Sequence, residues 1–394
     1  MSGRGWTARS AGSLMRFIVA PDSFKGSLGA VQAAGAMERG IRAVFPAAEV
    51  RKVPVADGGE GTVAALVASA DGRLVDCPVR GPLGRPVKAL FGLLGDGTGV
   101  VEAAAACGLP LVPSAERNPE RTTSYGVGEL VRAALDHGCR KVIIGLGGSS
   151  TNDGGMGMAA ALGVRFTDRG GNNVEPLIAN LDRVVALDLA GLDPRLSGVE
   201  VLGACDVSSP LCGPGGASLV FAPQKGATPE SAARLDRLLG RLAVLIREAA
   251  GRDVAALPGA GAAGGLGAGV SGFLGGRLVS GSELVLKTSR LAEHLAAGAD
   301  LVLTGEGEIN AQTVLGKAPG AVGRLAAEYG IPVVAVVGAK GPGYREVYGR
   351  GIGAVYCIVP RPMSLAEALS DACGILEEGV AELLRVWRLG RSGR

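Results

Sequence analysis

The segment Gly145–Gly157, GLGGSSTNDGGMG, constrains this chain more than any other stretch. The apolar run before it predicts a buried strand over 141–146. Gly147, Gly148, Gly154, Gly155 and Gly157 then crowd together, with Ser149, Ser150, Thr151, Asn152 and Asp153 between them. Glycines behind a strand let the backbone turn tightly and approach a ligand closely. N–H groups opening the next helix would turn partial positive charge toward that ligand. Ser149 and Asn152 add donors, and Asp153 can hold a metal ion or a substrate hydroxyl. This is equipment for cradling a phosphate, although no G-x-x-x-x-G-K-[ST] occurs in the chain. A strand-to-helix turn that simply needs glycine accounts for the local pattern as well.

A chain of 394 residues suggests two domains. Its 66 glycines come without a collagen period and with 47% hydrophobic residues, so they imply tight turns and close helix packing rather than disorder. A net charge of +3 from interspersed acids and bases gives no nucleic-acid surface. The seven cysteines are scattered and form no C-x-x-C, which reads as reduced thiols. Two histidines, His137 and His294, leave little for a zinc site or a His-dependent triad. The longest apolar runs, such as 331–339, are about half the ~20 residues of a membrane span. No signal-peptide core precedes Arg16, so the expected location is the cytoplasm. Residues 1–14 read as a disordered extension, with Met15 as a candidate start.

Along the chain, the strand 16–20 ends in the loop DSFKGS, and a helix follows over 31–45. A second strand, 49–55, ends in ADGGEGT before an Ala/Val-rich helix. Two strand–loop–helix units in succession argue for a parallel sheet. Their loops lie where open α/β sheets bind ligands, at the strands' carboxyl ends. From about residue 71, short extended pieces separated by Gly and Pro mark a second domain. It includes a helix over 125–136, strands near 184–187 and 199–204, and an amphipathic helix over 229–250. The first rhythm returns with a strand over 300–304 and a loop over 305–310. Strands at 331–337 and 354–359 follow, with helices near 319–329 and 365–386. The expected fold is α/β: a Rossmann-like parallel-sheet domain from residues 15–70 and 289–394, an inserted α/β domain over 71–288, and an active site in the cleft.

The polar loops supply the candidate chemistry. Lys25 can meet a phosphate or carboxylate as a point charge. Asp57 and Glu60 flank glycines in a turn that would hold a metal or a hydroxyl, or would cap a helix. Asp206 ends an apolar strand, and Lys225 lies in the following APQKGA segment. The run 259–272 contains formal G-x-G-x-x-G patterns, but neither a preceding strand nor a ribose-binding acid supports a dinucleotide reading. Glu306, Asn310, Gln312 and Lys317 provide a carboxylate, amides and a lysine. This Gly-, Asp- and Lys-rich inventory suits phosphoryl transfer, which needs positioning and charge neutralisation.

The ordered stretches APDSFKGSL, PVADGGEGT, TSYGVGEL, GLGGSSTNDGGMGMAAALG, CDVSSPLCGPGGAS, APQKGA, GAGAAGGLG, DLVLTGEG and QTVLGKAP resemble the bacterial type I glycerate kinases over nearly the whole chain. The resemblance implies ATP-dependent phosphorylation of D-glycerate, commonly to 2-phosphoglycerate, with Mg²⁺. It allows a homodimer and involves no nucleic acid or membrane. The nucleotide phosphates are then expected at Gly147, Gly148, Ser149, Asn152, Asp153, Gly154 and Lys225. D-glycerate is expected at Ser23, Glu60, Glu306, Asn310, Gln312 and Lys317. Asp206, Lys25 and Asp57 are the expected catalytic group, with Asp206 as proton acceptor, and Asp153 and Asp206 are the candidate Mg²⁺ ligands. The chain departs from the family pattern at Ser150, Ser209, Glu308 and Asn310, where Ala, Asn, often Arg, and Asp are usual. Two alternatives therefore stand beside the glycerate kinase: a related sugar-acid or hydroxy-acid kinase with an altered pocket, and a catalytically weak ligand-binding homologue.

Overall fold

The computed structural model describes residues 14–314 and 317–392, apart from the side chains of residues 312, 314 and 392. Of the extension expected over residues 1–14, residues 1–13 lie outside the described residues, as does the side chain of Gln312. Contacts divide the chain into two compact units, one formed by residues up to 57, 64–70 and from 285 onward, the other by 58–63 and 71–284.

The first unit is built on a five-stranded sheet. Its spatial order is Ala354–Cys357, Val333–Lys340, Leu301–Ile309, Arg16–Pro21, Glu49–Lys52, and every neighbour is parallel. Phe17, Ile18, Val19 and Ala20 are all buried, the continuous apolar run of a parallel strand covered on both faces. In chain order the sheet reads 2-1-3-4-5. The direction of winding therefore reverses between Arg16–Pro21 and Leu301–Ile309. Such a switch point opens a crevice outside the carboxyl ends of its two strands.

The segment 305–310, expected as a loop, is mostly strand. Leu301–Ile309 continues along Val333–Lys340, pairing Glu306 with Val337 and Ile309 with Lys340. The glycine at 305 is required there, because a Cβ would stand 1.9 Å from the Val336 carbonyl oxygen. The helix expected over 365–386 is two helices, Leu365–Ser370 and Ala372–Ser392, interrupted at Asp371.

The second unit carries a six-stranded sheet ordered Arg277–Val279, Glu200–Ala204, Lys141–Gly145, Thr98–Glu102, Leu90–Leu93, Arg73–Asp76. The first four strands are parallel, and the last two join by antiparallel pairing, so that Leu90–Leu93 alone runs against the others. The helix Pro229–Ala250 follows its sequence signals closely. The Thr228 hydroxyl accepts the Ser231 N–H at 3.2 Å at one end, and left-handed Gly251 closes the other. Leu235, Leu239, Leu242 and Ile246 form its buried stripe. The strand expected near 184–187 is Ala186–Asp188, in a separate antiparallel pair with Arg165–Thr167. All the cysteines are free thiols. Among the described residues no helix is long and apolar enough to cross a membrane.

Helix Ala30–Val44 packs on Ala372–Ser392 through Gly40, where a Cβ would lie 2.5 Å from the Glu377 carbonyl oxygen and 2.9 Å from Val380 Cβ. Arg39 pairs with Glu377 at 2.6 Å beside that contact. Gly40→Ala should lower stability by about 1–3 kcal/mol through overpacking. Urea unfolding checks this, and an unchanged midpoint would contradict the close helix approach.

Candidate functional site

A cavity of about 520 Å³ opens at the carboxyl ends of the first unit's central strands. Its polar wall comes from the loop after Arg16–Pro21, from Asp57, and from the end of Leu301–Ile309 with the residues that follow. Ser23, Lys25, Asp57, Glu306, Asn310 and Lys317, all singled out from sequence, line it together with Asp22 and Glu308. Ile358, Met363, Leu365, Leu369 and Ile375 form an apolar wall.

Asp22 is the residue that the sequence reading passed over. Its N–H donates to the Gly305 carbonyl at 2.8 Å, and its Oδ1 accepts the Ser23 N–H at 2.6 Å. It is 5% exposed. Burial, reinforced by the negative charge of Asp57, raises its pKa from 3.8 to about 7. Glu306 is also buried, and burial pushes its carboxyl up. The Thr313 hydroxyl donates to Glu306 Oε1 at 2.6 Å and opposes that shift. Lys25, largely exposed, reaches Asp57 at 3.8 Å. Asn310 Nδ2 donates to Glu308 Oε1 at 3.0 Å. The signal that could have marked Asp22 is its place immediately behind a buried parallel strand.

Glu60 does not join this wall. It is exposed and groups with the second unit.

The glycine-rich loop of the second unit borders a smaller cavity of about 260 Å³. Gly147, Gly148, Ser149, Gln224 and Lys225 line it. Lys225 is 3% exposed, and its ammonium donates to Ser149 Oγ at 3.1 Å and to the Thr151 carbonyl at 2.7 Å. Burial lowers its pKa to about 8. An ammonium has three N–H groups, so one remains for a ligand.

The other loop residues turn inward. Asn152, expected as a phosphate donor, is fully buried, and its Nδ2 donates to Ser218 Oγ at 2.9 Å. Gly154 faces the core, where a Cβ would stand 2.3 Å from a Leu242 methyl. Asp153 is a scaffold. Its Oδ2 accepts the Ser124 N–H and hydroxyl, both at 2.8 Å, and the Gly157 N–H at 3.2 Å, while Oδ1 accepts the Gly155 N–H at 3.1 Å. Burial raises its pKa against the pull of those donors. The run 259–272 serves the same packing. Gly264 is left-handed, a Cβ on it would lie 2.0 Å from the Thr151 carbonyl, and its own carbonyl accepts the Gly154 N–H at 3.1 Å.

Asp206, expected to take a proton, is exposed and caps the helix Gly281–Thr288. Its Oδ1 accepts the Ser280 hydroxyl at 2.8 Å and the Gly281 N–H at 2.9 Å, and Oδ2 accepts the Ser282 N–H at 3.1 Å. Ending a strand, the signal that singled it out, is equally the position of a helix cap.

Comparison with known proteins gives a consistent result. The model of the "Glycerate kinase family" matches residues 17–388. A glycerate kinase of Halalkalibacterium halodurans is 47% identical over 93% of this chain and 96% of its own length. A glycerate 2-kinase of Escherichia coli K12 is 45% identical over 91% of this chain and 94% of its own length. A crystal structure of a Salmonella typhimurium LT2 protein matches with a TM-score of 0.86 and 44% identity, covering 96% of this chain and all of that one.

Asp153→Ala would strand buried N–H groups on Ser124, Gly155 and Gly157, each costing about 1–3 kcal/mol. Denaturant unfolding at pH 7 should therefore show a loss of about 3 kcal/mol or more, and a smaller one for Asp153→Asn, which keeps an acceptor oxygen. Unaltered stability in Asp153→Ala would return this residue to a ligand-binding role.

Proposed function

The chain belongs to the glycerate kinase family, and from that premise we propose that it transfers the γ-phosphoryl group of ATP directly to a hydroxyl of D-glycerate. The favoured product is 2-phosphoglycerate. The observation that carries this reading is the cavity at the switch point, where lysines, carboxylates and amides converge on a space suited to a small hydroxy acid. Lys25 and Lys317 supply positive charge for the glycerate carboxylate, and Ser23 and Asn310 supply hydrogen bonds to its hydroxyls. Asp57 positions Lys25. In the second unit, the remaining N–H of Lys225 and the backbone at Gly147 and Gly148 suit a phosphate. Each unit then contributes as one domain of a two-domain enzyme.

Mg²⁺ in such enzymes is usually held by one or two carboxylates, substrate phosphates and water. Asp153 and Asp206 do not fit that role, because the first is enclosed by its own loop's donors and the second caps a helix. Among the described residues no cluster of three or more His, Cys, Asp or Glu could hold a metal.

A second reading, a kinase for a related hydroxy acid, is favoured by Glu308. Its carboxylate lines the cavity in hydrogen bond with Asn310. Those are two of the positions that depart from the family pattern. A further negative charge there disfavours a small carboxylate and suits an acid with more hydroxyls.

Four measurements test the proposal. A coupled assay with D-glycerate and a panel of hydroxy acids should give the highest kcat/KM for D-glycerate, and a clear preference for another acid would select the second reading. Phosphorus–proton coupling in the product should show a doublet for the 2-phosphate, where a triplet would mean the 3-phosphate. Gly148→Val puts a branched side chain on a left-handed residue at the proposed cradle. It should weaken ATP binding about tenfold or more in calorimetry, a loss of about 1.4 kcal/mol. Unchanged affinity in the folded variant would remove the phosphate assignment. Asp206→Asn keeps an oxygen for the cap and should hold kcat within about tenfold, short of the 10²-fold or greater loss expected of a general base.

A further inference from the structure

We propose that Asp22 accepts the hydroxyl proton of the phosphoryl acceptor, making it the general base of the cavity at the switch point. The inference rests on the kinase reading above and names the residue that reading leaves open.

Position is the first argument. Asp22 follows the strand Arg16–Pro21 directly, and its N–H is tied to the Gly305 carbonyl of the neighbouring central strand at 2.8 Å. It therefore stands at the carboxyl end of the two paired strands whose connections leave in opposite directions and open the cavity.

Availability is the second. The side chain lines the cavity yet is only 5% exposed. Among the described residues its one hydrogen bond is from the Ser23 N–H to Oδ1, which leaves Oδ2 for a substrate hydroxyl. Each of the other cavity carboxylates meets another side chain, whereas Asp22 meets only a backbone N–H: Asp57 pairs with Lys25, Glu306 accepts from Thr313, and Glu308 accepts from Asn310. Asp153 and Asp206 hold a loop and a helix end.

Electrostatics is the third. Asp57 and Glu306 face Asp22 with negative charge and Lys25 with positive charge, and Glu308, Asn310 and Lys317 share the cavity. Burial and those two acids outweigh Lys25 and the Ser23 N–H, so the carboxyl exchanges its proton near neutral pH. A base is most effective when its pKa lies close to the working pH.

The step balances. The acceptor O–H bond breaks as its oxygen bonds to the γ-phosphorus, and the proton passes to Asp22. The bond from the γ-phosphorus to the β–γ bridging oxygen breaks, and its electron pair leaves with ADP. Asp22 then returns the proton to solvent.

The test compares wild type, Asp22→Asn and Asn310→Asp in the coupled assay from pH 5 to 9. Wild-type kcat/KM should rise with pH through about 7, the value to which Asp22 is raised. Asp22→Asn should lose about 10²-fold or more in kcat at pH 8 and lose that acidic limb, while ATP affinity stays within about threefold. Asn310→Asp adds negative charge to the same cavity and should move the limb to higher pH.

Thermal unfolding supplies a readout that needs no substrate. A carboxyl with a raised folded-state pKa contributes stability that is complete below its unfolded value and is lost as pH rises through the folded value. Between about pH 4 and 7, wild type should therefore lose stability relative to Asp22→Asn. A parallel pH dependence of the two unfolding curves would overturn the inference. So would near-normal kcat with an unchanged acidic limb in Asp22→Asn. Failure of wild type to phosphorylate any hydroxy acid overturns the kinase reading itself. Normal wild-type turnover with an unaffected Asp22→Asn overturns the base assignment alone.

Discussion

Parallel pairing of Arg16–Pro21 with Leu301–Ile309 is the constraint on which the first unit depends. Phe17 stands opposite Leu301 and Pro21 opposite Gly305, so segments some 280 residues apart in sequence lie in one register. Parallel neighbours cannot be joined by a short turn, and here the crossover contains the entire second unit. The register brings Asp22 level with the Gly305–Glu306 step. The cavity follows, because the connections leave those two strands in opposite directions.

That placement concentrates charge in a partly dry space. Asp22 and Glu306 are both buried, and each feels Asp57. Lys25 remains exposed on the cavity wall. Burial, with the negative charges of Asp57 and Glu306 added to it, raises the Asp22 carboxyl to about 7 without any histidine nearby. Nearby, Asn310 Nδ2 donates to Glu308 Oε1, an amide donor matched to a carboxylate acceptor.

The second unit solves a different problem. Its glycine-rich loop must hold a tight shape beside a buried lysine. Asp153 does this by collecting donors from Ser124, Gly155 and Gly157. The glycines of 259–272 let a second backbone approach it, with Gly264 against Thr151. Much of the glycine in this chain is therefore packing between backbones; Gly147 and Gly148 line the smaller cavity, and even there a Cβ on Gly147 would stand 2.4 Å from Gly59 Cα.

Local sequence determined the elements whose signals are themselves local. The helix Pro229–Ala250 was legible from its apolar period. The strands Arg16–Pro21 and Lys141–Gly145 were legible from short apolar runs ending in glycine-rich loops. The ordered motifs likewise carried the family. Tertiary structure alone decided which side chains of each turn face a cavity. Asn152 and Asp153 had the composition of a phosphate cradle, yet their side chains turn to Ser218 and Ser124. The segment after Thr304 had the composition of a loop, yet pairing with Val333–Lys340 drew it into the sheet. Asp22 and Asp206 both follow strands, and nothing local separates them. Asp206 found the N-terminus of a helix and Asp22 the cavity, because only long-range packing brings those neighbours to a carboxylate.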